Sequence, residues 1–214
     1  MVAVDAVQAD LKKYLAPFGF RCRGRNFNKK LDDGLVQVVN IWMGPSDPPG
    51  TVYIPGLTRN LYGLYSVNLG VFDPWISRCE HGEHFKERSW IAEPWCFIRK
   101  RLGVVSGKDC WWQTTQEDQT EMFQLLKIQQ VEFFERYSSR EKIFDELYQN
   151  IDSRVDFQSP RRIVCAMMQL QEGNVDEARR LLRVQAIGSK EAHPGHFEYV
   201  MGLARRLGLG ELDA

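Results

Sequence analysis

The sequence predicts an α+β fold. An N-terminal helix leads into an antiparallel sheet of four or five strands, helices pack on one face of the sheet, and a helical hairpin extends the C-terminus. Three observations predict this. The apolar period is helical over residues 4 to 16, becomes alternating or branched-apolar from 19 to 105, and is helical again from 115. Turn residues rather than helical segments separate the apolar runs, which favours antiparallel pairing. Finally, 214 residues with 43% hydrophobic and 26% charged content suffice for a core without staples.

The elements follow in order. Val4, Val7, Leu11, Tyr14 and Leu15 recur at three- and four-residue spacing, and APFGF ends that helix. GFRCRGRNFNK then alternates. Read as one strand, it places Arg21, Arg23 and Arg25 on one face and Phe20, Cys22, Gly24 and Asn26 on the other. LDDG separates it from GLVQVVNIW (34–42), the pattern of a hairpin. LYSVNLGVF (64–72) is a third run, and 44–61, with four prolines and three glycines, is a long loop over the sheet. Residues 73–94 read as a loop with one helical turn, and WCFIRKRLGVV (95–105) as a strand pair interrupted by Gly103.

Beyond 115 the chain is helical. Thr115 with Asp118, and Ser139, begin helices as caps, and Ser159 caps a helix with Pro160 in its first position. RRIVCAMMQLQEGNVDEARRLLRVQAI (161–187) resembles a single tetratricopeptide-type helical hairpin, in which Ala166 and Ala178 permit close approach. One such unit reads as a capping pair, since a solenoid needs about three repeats. The expected organisation is an α+β domain over 1–150 and a helical extension over 151–214.

Net charge is zero, but residues 1–110 hold fifteen basic and eleven acidic side chains, and 111–214 hold thirteen and seventeen. This is far from the basic excess of a dedicated nucleic-acid binder. Five scattered cysteines form no disulfide framework, no signal-peptide pattern opens the chain, and no apolar run approaches the roughly 20 residues of a membrane span. The expected setting is cytoplasmic, with reduced thiols and no membrane partner.

Two constellations point to a site. Arg21, Arg23 and Arg25, with Lys29 and Lys30, precede one hairpin, and Arg99, Lys100 and Arg101 follow a later strand. Were those strands neighbours, their planar donor forks would share one face suited to phosphate or carboxylate. Trp111, Trp112 and Phe27 would offer stacking surfaces beside it. Asn40 and Asn68 lie inside apolar strands, where amides are disfavoured and need partners. They either line a polar pocket on the sheet or pin a bulge. The arginine row is correspondingly a site or a solvated sheet face that deters edge pairing.

Other groups carry less. CEHGEHF gathers Cys79, His81 and His84, with Cys96 further on, but the spacing matches no standard zinc arrangement, so no metal or other cofactor is expected. Glu93 and Asp73 lie beside aromatics as candidate perturbed acids. No nucleophile elbow, phosphate loop or dinucleotide fingerprint occurs, so whether the chain is an enzyme stays open.

GFRCRGRNF, GLVQVVNIW, SVNLGVF and the later FIRKRLG…WW, in this order, resemble a bacterial family of uncharacterised proteins catalogued as domain of unknown function 4304, over about residues 5 to 150. The resemblance implies an α+β domain opening with a helix and continuing into an antiparallel sheet. It implies no activity. The reading reached from the residues is a binding or protein-interaction module. Its sheet face, with Arg21, Arg23, Arg25, Asn40, Asn68, Arg99, Arg101 and Trp112, engages an acidic protein or a small anionic ligand. The alternatives are a nucleic-acid-associated module and an enzyme acting on a phosphorylated substrate.

Overall fold

A computed structural model describes residues 2–45, 52, 54, 60–103, 110–152 and 160–214. The loop expected over 44–61 and the cap at Ser159 fall largely or wholly outside the described residues. The chain forms two compact units. The first comprises Met1–Lys30, Val36–Val71 and Trp90–Glu135, and the second Leu31–Leu35, Phe72–Ser89 and Arg136–Ala214.

In the first unit, helix α1 (Val2–Leu15) buries Val4, Val7, Leu11 and Leu15, the stripe its spacing predicts. Five strands follow: β1 (Arg21–Arg23), β2 (Asn26–Lys30), β3 (Val36–Met43), β4 (Tyr65–Phe72) and β5 (Ile98–Arg101). They form one antiparallel sheet in the order β1-β2-β3-β4-β5. Helix α3 (Gln116–Arg136; α2 belongs to the second unit and spans Pro74–His81) begins where Thr115 Oγ accepts from the Asp118 amide at 3.2 Å.

Register assigns the faces. Cys22, Phe27 and Val39 oppose one another across β1, β2 and β3, and Lys29 opposes Gln37 on the same side. This face meets the helices. Gln8 of α1 reaches Cys22, Gln37 Nε2 donates to the Phe134 carbonyl of α3 at 3.1 Å, and the Phe20 and Phe134 rings lie 5.5 Å apart. Every residue of β4 is buried, and Val67, Leu69 and Val71 are fully so; such side chains contribute roughly 1.5–3 kcal/mol each.

In the second unit, α2 (Pro74–His81) begins on the Asp73 cap, whose carboxylate accepts from the Trp75 amide at 2.7 Å. Helices α4 (Arg140–Gln149), α5 (Arg161–Gln171), α6 (Val175–Ser189) and α7 (Pro194–Arg206) pack in succession, and α2 lies against α5 and α7. Ala166 and Ala178 are fully buried in α5 and α6, as a close helix pair requires. Gly173, at φ +83°, ends α5 within the EGN break.

Four expectations are corrected. GFRCRGRNFNK is a hairpin of two strands, because Gly24 at φ +56° turns the chain and leaves Arg25 in the turn. Residues 74–81 form two helical turns, since Asp73 caps them and Pro74 pre-sets the first helical φ. The described part of 95–105 holds β5 alone; the pairing continues instead through a bridge between Tyr65 and Trp112. Pro160 occupies the cap of α5 rather than its first turn, its carbonyl receiving the Ile163 and Val164 amides.

Candidate functional site

The polar face of the sheet lies within the first unit. Arg23 opposes Asn26, Asn26 opposes Asn40, and Asn68 opposes Arg101. The Gly44 amide donates to the Leu64 carbonyl at 2.8 Å. Followed back along two antiparallel strands without a bulge, that bond sets Asn40 opposite Asn68. Parity agrees independently. The segment 91–96 touches Asn28, whose side chain holds the Ile91 backbone at both N and O, and it packs against Gly70 through Cys96. Arg23, Asn26, Asn40, Asn68 and Arg101 therefore form one rung across all five strands.

The ends and the middle of the rung differ. Arg21 and Arg23 are exposed on the edge strand β1, and neither has a carboxylate partner among the described residues. Asn40 and Asn68 are only 7% and 6% exposed. Asn40 Nδ2 donates to Asn26 Oδ1 at 3.0 Å and to the Arg25 carbonyl at 3.4 Å, which ties the turn to β3. Its Oδ1 is buried without a donor, as is Ser66 Oγ on the same face of β4. Trp42, also on this face, is 43% exposed. Asn40 and Asn68 thus share a face, and Asn40 spends part of its amide on the backbone of the Arg25 turn, as the alternative to a pocket expects.

Several predicted site residues are placed elsewhere or otherwise engaged. β1 and β5 are opposite edges of the sheet, so Arg21 and Arg23 lie about 19 Å of strand spacing from Arg99 and Arg101 and cannot converge on one small anion. Arg25 sits in the turn, with its carbonyl receiving the Ile41 amide at 2.9 Å. Arg99 is clasped by buried Glu93 through two bonds of 2.5 and 3.0 Å, a pair that raises the guanidinium's hold on its proton. Trp112 is 2% exposed and gives its indole N–H to Glu121 at 3.0 Å, so it is core and not a stacking platform. Phe27 is likewise buried. Arg101 keeps an aromatic neighbour, its guanidinium lying 5.0 Å from the Trp111 ring centre.

The two acids singled out earlier are both anchors. Glu93 holds Arg99. In the second unit Asp73 caps α2 and also binds Arg140 at 2.8 and 3.2 Å, while Arg140 holds the Asp33 carbonyl and its amide donates to the Asp33 carboxylate at 3.1 Å. Sequence reasoning missed Arg140, whose partners stand 67 and 107 residues away. Cys79 and Cys165 are buried, and burial, first among the causes, pushes each thiol up to about 12. No group of three His, Cys, Asp or Glu able to hold a metal occurs among the described residues. Nor is any described helix long and apolar enough to cross a membrane.

The chain carries a match to the family described as Domain of unknown function (DUF4304), spanning residues 57–132. That stretch includes β4, α2, β5 and the first part of α3, whereas the arginine hairpin and β3 precede it. No curated protein matches the chain. No solved structure matches it either.

Proposed function

We propose that the protein is a non-enzymatic interaction module that engages an acidic protein segment through the polar face and the β1 edge of its sheet. The observation that carries this reading is a contrast among arginines. Arg99, Arg140 and Arg161 are held by carboxylates, whereas Arg21 and Arg23 stand exposed on one strand with none among the described residues. A charge left without an internal partner is available to an external one, and two on one strand face make a directional donor array.

The separation of the cationic ends of the rung by a full sheet excludes one small anion held by both, and leaves the paired arginines of the β1 edge to meet a segment of an acidic protein. The nucleic-acid alternative depended on aromatic platforms, and two of the three proposed, Trp112 and Phe27, lie in the core.

The test is binding of a fluorescein-labelled octaglutamate to the full chain at low salt, by anisotropy. The Arg23→Ala, Arg101→Ala double variant should bind several-fold more weakly with a near-unchanged unfolding midpoint. Loss of fold in the double variant would sink the site reading and leave the arginines a structural role.

A further inference from the structure

The partner's mode of docking follows from the hydrogen-bond phase of the first hairpin. This step rests on the proposed function above and specifies its ligand. Asn26 faces Asn40 across β2 and β3, yet the bond between those strands runs from the Ile41 amide to the Arg25 carbonyl. Asn26 therefore sits in a non-hydrogen-bonded pair on that side, and its own N–H and C=O point towards β1. Its partner there is Arg23. Arg23, and by alternation Arg21, direct their backbone groups into the sheet. Cys22, between them, turns its N–H and C=O to the open edge.

β1 is terminal in the strand order, and Arg21, Arg23 and Gly24 are exposed. The outward edge thus offers one donor and one acceptor at Cys22. Flanking it are two guanidinium-bearing residues on the same face, about 6.8 Å apart along the strand. An extended peptide running antiparallel to β1 with carboxylates at alternate positions has that same spacing, and its central residue carries the matching N–H and C=O. Charge complementarity selects this occupant, because Arg21 and Arg23 lack internal carboxylates among the described residues.

We infer that an acidic-x-acidic segment of a partner protein adds to β1 as a sixth strand. Its central residue pairs with the Cys22 backbone, and its two carboxylates meet Arg21 and Arg23. The opposing possibility is that the short, charged edge only repels strands, as guarded edges do.

Three labelled peptides decide between them, each titrated against the full chain at low salt. The first is acetyl-Thr-Glu-Val-Glu-Thr-amide. The second carries an N-methyl group on its valine, which removes the central donor and leaves both charges. The third is the isomer Thr-Glu-Glu-Val-Thr, whose carboxylates fall on opposite faces of an extended chain. Strand addition predicts that the first binds and that the other two bind about tenfold more weakly. It also predicts that the first peptide slows amide exchange at Cys22. Binding of all three within twofold would overturn strand addition while leaving a basic interaction surface. Failure of all three to bind would overturn both the docking mode and the proposed function.

Discussion

Removing Arg99 would leave Glu93 behind at 3% side-chain exposure, whereas neutralising Glu93 would leave Arg99 at 30%. The two halves of this ion pair therefore differ in cost. An uncompensated buried carboxylate cannot find water, but a partly exposed guanidinium can. Arg99→Ala should destabilise the fold by about 3 kcal/mol and Glu93→Gln by about 1 kcal/mol, read from urea midpoints at constant m-value. Equal effects would contradict this asymmetry. Sequence distance hid the pair, because six residues of irregular chain imply no fixed geometry, unlike three or four residues of helix.

The buried thiols give a second residue-scale expectation. Cys79 and Cys165 are raised from an ordinary 9.0 to about 12, chiefly by burial. The folded state therefore keeps protons that the unfolded chain releases at lower pH. Their contribution to stability is whole below about pH 9 and is lost as pH rises towards 12. The urea midpoint should fall between pH 8 and 10.5, and a Cys79→Ala, Cys165→Ala variant should fall less steeply. Parallel declines would show that other groups carry the dependence.

At the scale of elements, β4 packs so closely against residue 96 that a side chain at position 70 has no room. A Cβ on Gly70 would stand 2.6 Å from Cys96 Sγ and 2.9 Å from its Cβ. Gly70→Ala should cost about 1–3 kcal/mol through overpacking. Adding Cys96→Ala removes the sulfur but keeps the Cβ contact, so it should restore only part of the loss. Additive losses in the double variant would show that the two positions do not interact.

The same scale shows what the sequence made legible. Helix α1, the β2–β3 hairpin, β4 and the cap of α3 were readable because a single local period or turn signature specified each. The first hairpin was not, because RCRGRNF keeps its alternation through Gly24 and so imitates one strand. That misreading put Asn26 on the face opposite Arg23, whereas a two-residue turn makes them partners. The Asp-Pro start of α2 was a visible signal that the surrounding charge pattern obscured. Asn40 and Asn68 stood out as candidates from amide chemistry alone, but their alignment depends on strand order, which no local pattern encodes.

For the whole molecule, zero net charge means that any attraction for an acidic partner arises from local placement and not from overall charge. Such an attraction is screened over about 10 Å at 0.1 M salt. If Arg21 and Arg23 carry it, octaglutamate affinity should fall several-fold between 20 and 200 mM salt, and the Arg21→Ala, Arg23→Ala variant should lose most of that salt dependence with its unfolding midpoint unchanged. Isothermal titration at four salt concentrations for both proteins measures the two slopes directly. A wild-type slope retained by the variant would move the basic surface away from β1, and with it the docking edge. A variant that loses both binding and slope would locate the attraction at the β1 edge, where Arg21 and Arg23, without carboxylate partners among the described residues, flank the outward-facing backbone of Cys22.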